Sequence, residues 1–148
     1  KTGIIDMQAV ILNVQEGKDA RATIEKEIKA KEGEFTKRRE ELDKMNKDWQ
    51  GQASLMSDEA KLNKQKEFQE KFMSLRNDEG AFREEVKKKE QKATQGIAAK
   101  VEGIVQKMAK EKTLDVVFEI NSAGLLYVNQ PVDLTKEVID QYGKIGKK

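Results

Sequence analysis

The sequence contains no cysteine and no histidine. The first absence excludes disulfides and a thiolate nucleophile. The second removes the commonest general base and the commonest metal ligand. Pro131 is the one proline in 148 residues, so a long stretch before it lacks the strongest helix breaker. Aromatic residues are scarce at 5%, and hydrophobic residues reach only 36%, where an ordinary soluble domain has roughly 45–50%. No apolar run of about 18 residues occurs, which excludes a helical membrane span. Neither a P-loop nor a glycine-rich dinucleotide fingerprint is present. Only carboxylates, lysines and hydroxyls remain for chemistry, spread over helix faces. The composition therefore argues against an enzyme, and it offers no cofactor site and no metal site.

What the chain has in abundance is charge, at 38% of residues with a net of only +2. The near balance of sign, together with clear periodicity, argues for long solvated helices and against disorder. It also argues against a nucleic-acid partner, because no basic stripe is interleaved with aromatics. The densest basic run is Lys87-Lys88-Lys89-Glu90-Gln91-Lys92. It reads first as a solvated helix face, and second as a weak contact for anionic lipid or an acidic client segment.

The periodicity predicts a helical middle between two ends with strand character. Thr2 to Asp6 reads as a strand, and Met7 to Val14 as a short helix with Asp6 as its N-cap. From Gly17 onward, Ile28, Phe35, Leu42 and Trp49 recur every seven residues, with Ile24 and Met45 on a companion series. That is the narrow stripe of a coiled-coil seam. Gly51 reads as a C-cap, and Ser57-Asp58-Glu59 as a fresh helix start with acids placed to complement the dipole. The second helix carries Leu62, Phe68, Phe72, Leu75, Phe82 and Val86. Its later part, Ile97, Val101, Ile104, Val105 and Met108, is richer in apolar residues and predicts burial.

Two helices joined by a short loop pack antiparallel. With the turn near residues 53–54, Phe35 is expected opposite Phe72, Met45 opposite Leu62, and Ile24 near Phe82. The arm is assigned to 17–112 with its tip near 50–57, and would be about 50 Å long at 1.5 Å per residue. Residues 1–16 and 113–148 form the expected β body, with about 96–112 packing on it. Gly33, Gly80, Gly96 and Gly103 fall inside predicted helices, either as tolerated positions or as bending points.

After Lys112 the period changes to alternation. Leu114, Val116, Phe118 and Ile120 are expected on one face, Asn121 to Gly124 as a turn, and Leu125-Leu126-Tyr127-Val128 as the return strand, with Asp133 or Thr135 capping a last helix. The fold class is thus α+β, mostly α: a long helical hairpin and a small sheet. About three short strands are marginal alone and leave unpaired edges. Ile4, Ile5, Val116, Val117, Phe118, Ile120, Leu125, Leu126, Tyr127 and Val128 are nearly apolar on both faces, which predicts several copies sharing one β core.

Two stretches carry a family resemblance: Gly3-Ile4-Ile5-Asp6-Met7-Gln8-Ala9-Val10 at one end, and Leu114-Asp115-Val116-Val117-Phe118-Glu119, Leu126-Tyr127 and Val132 to Ile139 at the other. They resemble the Skp/OmpH-like periplasmic chaperones. The resemblance implies a homotrimer, periplasmic residence with a leader removed, and ATP-independent holding of unfolded outer-membrane proteins between helical arms. It supplies no catalytic residues. The arm residues that the seam would not fully bury, Met45, Trp49, Leu55, Met56 and Met73, are the candidate client contacts. A coiled-coil spacer or adaptor with one defined partner is the alternative. A prefoldin-like arrangement would place its β segments between the helices, whereas here they lie at the ends.

Overall fold

Asp6 ends the first strand and starts the first helix, because its carboxylate accepts from the Ala9 amide at 3.1 Å and satisfies an orphan donor of the first turn. The computed structural model describes residues 1–145. In chain order these form β1 (Thr2–Ile5), α1 (Met7–Asn13), α2 (Gln15–Gln52), a 3-10 turn (Ala53–Leu55), α3 (Asp58–Glu111), β2 (Val116–Glu119), β3 (Val132–Asp133) and α4 (Thr135–Ile145). The result is a mostly helical α+β chain, with a long α2/α3 hairpin and a three-stranded sheet built from both ends. Two compact units divide it, Lys1–Thr23 with Lys89–Lys148, and Ile24–Lys88.

In the first unit, β1 lies between β2 and β3 and pairs parallel with both, Ile4 standing beside Phe118 and Asp133. Parallel strands need coverage, and one face of this sheet has it. Ile5, Val10, Val14, Ile97, Val101, Ile104, Met108, Leu134, Val138 and Tyr142 form its buried core. Two glycines permit the close fit. A Cβ on Gly3 would lie 2.8 Å from a Leu114 methyl, and one on Gly17 only 1.9 Å from the Ile11 carbonyl oxygen. The second contact arises because Val14, extended at ψ 147°, separates α1 from α2. The first turn of α2 is thereby pressed against the backbone of α1.

α3 ends where Thr113 takes φ 57° and the Leu114 amide reaches back to the Ala109 carbonyl at 2.8 Å. This is a Schellman-type stop with a β-branched residue in the position that favours glycine. The reversal also places Leu114 with Val117 against the core, not with Val116 as simple alternation predicts.

The expected hairpin after β2 is not formed, and Leu125–Val128 is not a strand. β3 occupies the far edge of β1 in parallel sense. The chain must therefore cross from one edge of β1 to the other, and residues 120–131 make that crossing instead of a tight return. Gly124 and Gln130, both with positive φ, turn it.

In the second unit, Phe35, Leu42 and Leu75 form the buried seam, with Met45, Phe68 and Phe82 packed on it. Ion pairs tie the two helices at Arg38–Asp78 (2.7 Å), Arg39–Glu79 (3.1 Å) and Glu41–Lys71 (2.6 Å). The register differs from expectation. Phe35 meets Phe82, edge to face at 6.0 Å, and not Phe72. Gly51 lies inside α2, which runs to Gln52, so the connection to α3 spans residues 53–57 and Gly51 is not the C-cap. The same offset holds at the Arg38–Asp78 and Arg39–Glu79 pairs, so it is a property of the packed helices and not of the turn residues alone. Ser57 caps α3 as its sequence predicts, accepting from the Ala60 amide at 3.2 Å.

Candidate functional site: an amide-rimmed apolar groove

The seam of the second unit narrows toward its turn because the two helices keep different stripes. α2 remains apolar, with Leu42, Met45 and Trp49 at seam spacing. On α3 the apolar series ends at Phe68, and exposed Gln65 and Lys64 stand where the stripe would continue. The unmatched apolar residues leave a groove of about 410 Å³. Met45, Trp49, Met56 and Phe68 supply its apolar lining. Asn46, Gln52, Gln65 and Gln69 supply amides, and Asp48 and Lys64 bring one charge of each sign.

Beyond the groove, α3 carries further apolar surface. Phe72 is 39% exposed and stacks parallel to Phe68 at 6.2 Å, with the Arg76 guanidinium 5.8 Å from its centroid. Met73, Leu62 and Leu55 are also exposed, Leu55 at 88%.

The first unit has its own uncovered region. Ile4, Val116 and Phe118 share the sheet face opposite Ile5, by the alternation of the strands. Val116 and Ile120 are exposed, as are Leu126, completely, and Tyr127 at 80%. Glu119 anchors the start of this crossing segment. Its carboxylate accepts from the Met7, Asn121 and Ser122 amides at 2.8–3.1 Å. Partial burial pushes its pKa up, but these bonds and the Ser122 hydroxyl outweigh that and hold the carboxyl below the usual range.

A second carboxylate of the first unit, Glu16, is also engaged by its neighbours. Glu16 accepts from the Tyr142 hydroxyl and from Lys100, and in that order these lower its pKa. Tyr142 shifts upward through burial and the adjacent Glu16 carboxylate. Among the described residues no cluster of acidic side chains could hold a metal. No helix among them is long and apolar enough to cross a membrane.

The model of the family of outer membrane proteins described as OmpH-like matches residues 1–142. The chain belongs to that family. The crystal structure of a candidate outer membrane chaperone (OmpH-like) from Caulobacter crescentus shares its fold, with a TM-score of 0.81 at 18% identity over 99% of this chain and 86% of that one. A comparison with curated proteins finds no match.

Of the residues that sequence reading singled out, this OmpH-like chain brings Met45, Trp49 and Met56 together at the groove and leaves Leu55 and Met73 outside it. Two residues assigned to the seam, Leu62 and Phe72, lie on exposed surface, a consequence of the shifted register. Ile24 is buried, while Ile28, Phe82 and Val86 are half-buried. Phe68, read as seam packing, also walls the groove, and the amides beside it were not singled out. The signal available was the polar pair Lys64 and Gln65, on the return helix ahead of Phe68 and facing an α2 stripe that stays apolar.

Proposed function

We propose that this protein is an ATP-independent holding chaperone of the periplasm, acting as a homotrimer on unfolded outer-membrane β-barrel proteins. One observation supports this most. Large apolar side chains stand exposed along a charged hairpin whose own seam is narrow. An unfolded barrel presents many apolar side chains, and a holder gains by binding them weakly at many points. Flexible methionines suit such varied surfaces. Met45, Trp49, Leu55, Met56 and Met73 are the proposed contacts.

The sheet supports assembly. Its uncovered face, the outer edges of β2 and β3, which pair with no strand among the described residues, and exposed Leu126 and Tyr127 are surface that further copies of the chain would cover. Ile4, Val116, Phe118, Ile120 and Leu125–Val128 are the proposed oligomer core, whereas Ile5 and Val117, expected there from the sequence, pack into the chain's own core. The run Lys87–Lys92 is assigned a weak contact with anionic lipid.

Native mass spectrometry tests the proposal, with the protein alone and after mixing with an outer-membrane barrel diluted from urea without nucleotide. Three chains plus one client, with aggregation suppressed, is the expected result. A trimer that ignores the client would turn the reading toward a spacer or adaptor. A monomer that ignores the client would end both the trimer and the holding reading.

A further inference from the structure

The groove between α2 and α3 has a composition that a plain seam defect does not require. We propose that it takes one aromatic side chain of an extended, uncharged client segment, and that its rim amides pair with the client backbone on either side. This rests on the holding-chaperone reading and names what part of a client the hairpin grips.

Three observations converge. The first is size. About 410 Å³ lies near the lower end of the roughly 300–1,000 Å³ of small-ligand sites. It has room for a ring with its adjoining backbone, and more room than a lone aliphatic side chain fills. The second is the wall chemistry. Trp49 and Phe68 offer ring faces and edges, and Met45 and Met56 offer thioethers. Both pair favourably with an aromatic guest beyond simple area burial. The third is the rim. Gln65 and Gln69 on one helix and Asn46 and Gln52 on the other each carry donors and acceptors. An extended peptide has the same needs at every residue. Asp48 and Lys64 cancel in charge, so the site selects a neutral occupant and neither an anion nor a cation.

A barrel client supplies that occupant repeatedly. Each spanning strand is about ten residues of alternating hydrophobicity, bounded by girdles of aromatic residues. An aromatic flanked by uncharged extended chain therefore recurs at strand ends, and one groove per hairpin can engage one such end.

Trp49 is the only tryptophan, so its emission reports on the groove directly. The full-length protein is titrated with two acetylated, tryptophan-free peptides of about ten residues. Both alternate valine and serine, one with tyrosine at its end and the other with leucine there. Saturable movement of Trp49 emission is expected with the tyrosine peptide, and binding about tenfold weaker with the leucine peptide. Met56→Lys, in the groove wall, weakens the tyrosine peptide by a similar factor, with helical circular dichroism confirming the fold. Ser54→Lys, exposed in the same turn but outside the groove and not among the proposed contacts, leaves it unchanged. Equal binding of the two peptides overturns the proposal. So does emission that depends on protein concentration alone, which would make a second copy the occupant. If neither peptide moves Trp49 while barrel aggregation is still suppressed, the groove assignment fails and the holding reading survives. If the tyrosine peptide binds selectively and aggregation is not suppressed, the groove stands and the holding reading falls.

Discussion

Gly17 and Gly33 lie in the same helix and answer to different physics. At Gly17 an added Cβ would meet the Ile11 carbonyl oxygen at 1.9 Å, whereas at Gly33 it would meet nothing within 4 Å. The contrast extends to the units they belong to. The first unit buries Val10, Val101, Met108, Leu134 and Val138 completely, and needs small residues to bring its elements together. The second buries Phe35, Leu42 and Leu75 along a narrow stripe, supports them with surface ion pairs and leaves Leu55, Leu62 and Met73 exposed. One unit has the packing of a folding core. The other leaves its apolar residues partly on the surface, where they add little to its stability. The two should therefore respond to substitution with different size and, in one case, different sign.

The largest effect is expected in the first core. Met108→Ala should cost on the order of 3–4 kcal/mol, because a fully enclosed side chain leaves a cavity that cannot collapse. Leu42→Ala, on a seam open to solvent at its edges, should cost about 2 kcal/mol. Urea unfolding followed by helical circular dichroism compares them, and equal costs would remove the distinction. The glycines come next. Gly17→Ala should destabilise by on the order of 3 kcal/mol through overpacking against backbone. Gly33→Ala should stabilise its helix by up to about 1 kcal/mol, visible as slower amide exchange around it. A loss at Gly33 would show that this glycine has a packing role.

The Glu16–Tyr142–Lys100 cluster sharpens the comparison by pH. The Glu16 carboxyl is lowered in the folded chain, first by the Tyr142 hydroxyl and then by Lys100. Its contribution is present above the unfolded carboxylate value, about 4.3. It is lost as pH falls through the lower folded value. Tyr142→Phe should cost about 1 kcal/mol at neutral pH and flatten that acid limb. An unchanged limb would assign the acid sensitivity elsewhere. The smallest effect is expected at the end of α3. Thr113→Gly should stabilise by up to about 1 kcal/mol, since a β-branched residue there is held at φ 57°. A loss of stability would mean that the threonine side chain has a packing or capping role.

Much of the fold was legible because it depends on local pattern. The seven-residue spacing of Phe35, Leu42 and Trp49 marks one helix, and that of Phe68, Leu75 and Phe82 marks the other. Asp6 and Ser57 announce helix starts through side chains that reach amides three residues on. The register was not legible, because Gly51 is an ordinary C-cap signal that the helix overrides, and the facing pairs of two long helices are set by how their side chains pack and not by the turn residues alone. The strand pairing misled for a related reason. Leu125–Val128 is a short apolar run that follows a turn signal, as the return strand of a hairpin would, yet the partner of each strand is set by competition for the edges of β1. The groove was half legible. Met45, Trp49 and Met56 stand out as apolar residues near the turn, whereas Gln65 and Gln69 acquire meaning only when the register places them opposite.

By itself the sequence determined that this is a helical hairpin with strands at its ends, poor in the groups that catalysis needs and rich in charge. Those properties follow from composition and from periods of seven and of two, which act over a few residues. The tertiary structure alone decided that the strands run parallel in the order β2-β1-β3, that Gly17 presses against Ile11, that Phe35 meets Phe82, and that Met45, Trp49, Met56 and Phe68 face one groove. These are contacts between residues far apart along the chain. Their geometry depends on where the chain reverses and on which edges are free, and no local pattern encodes either.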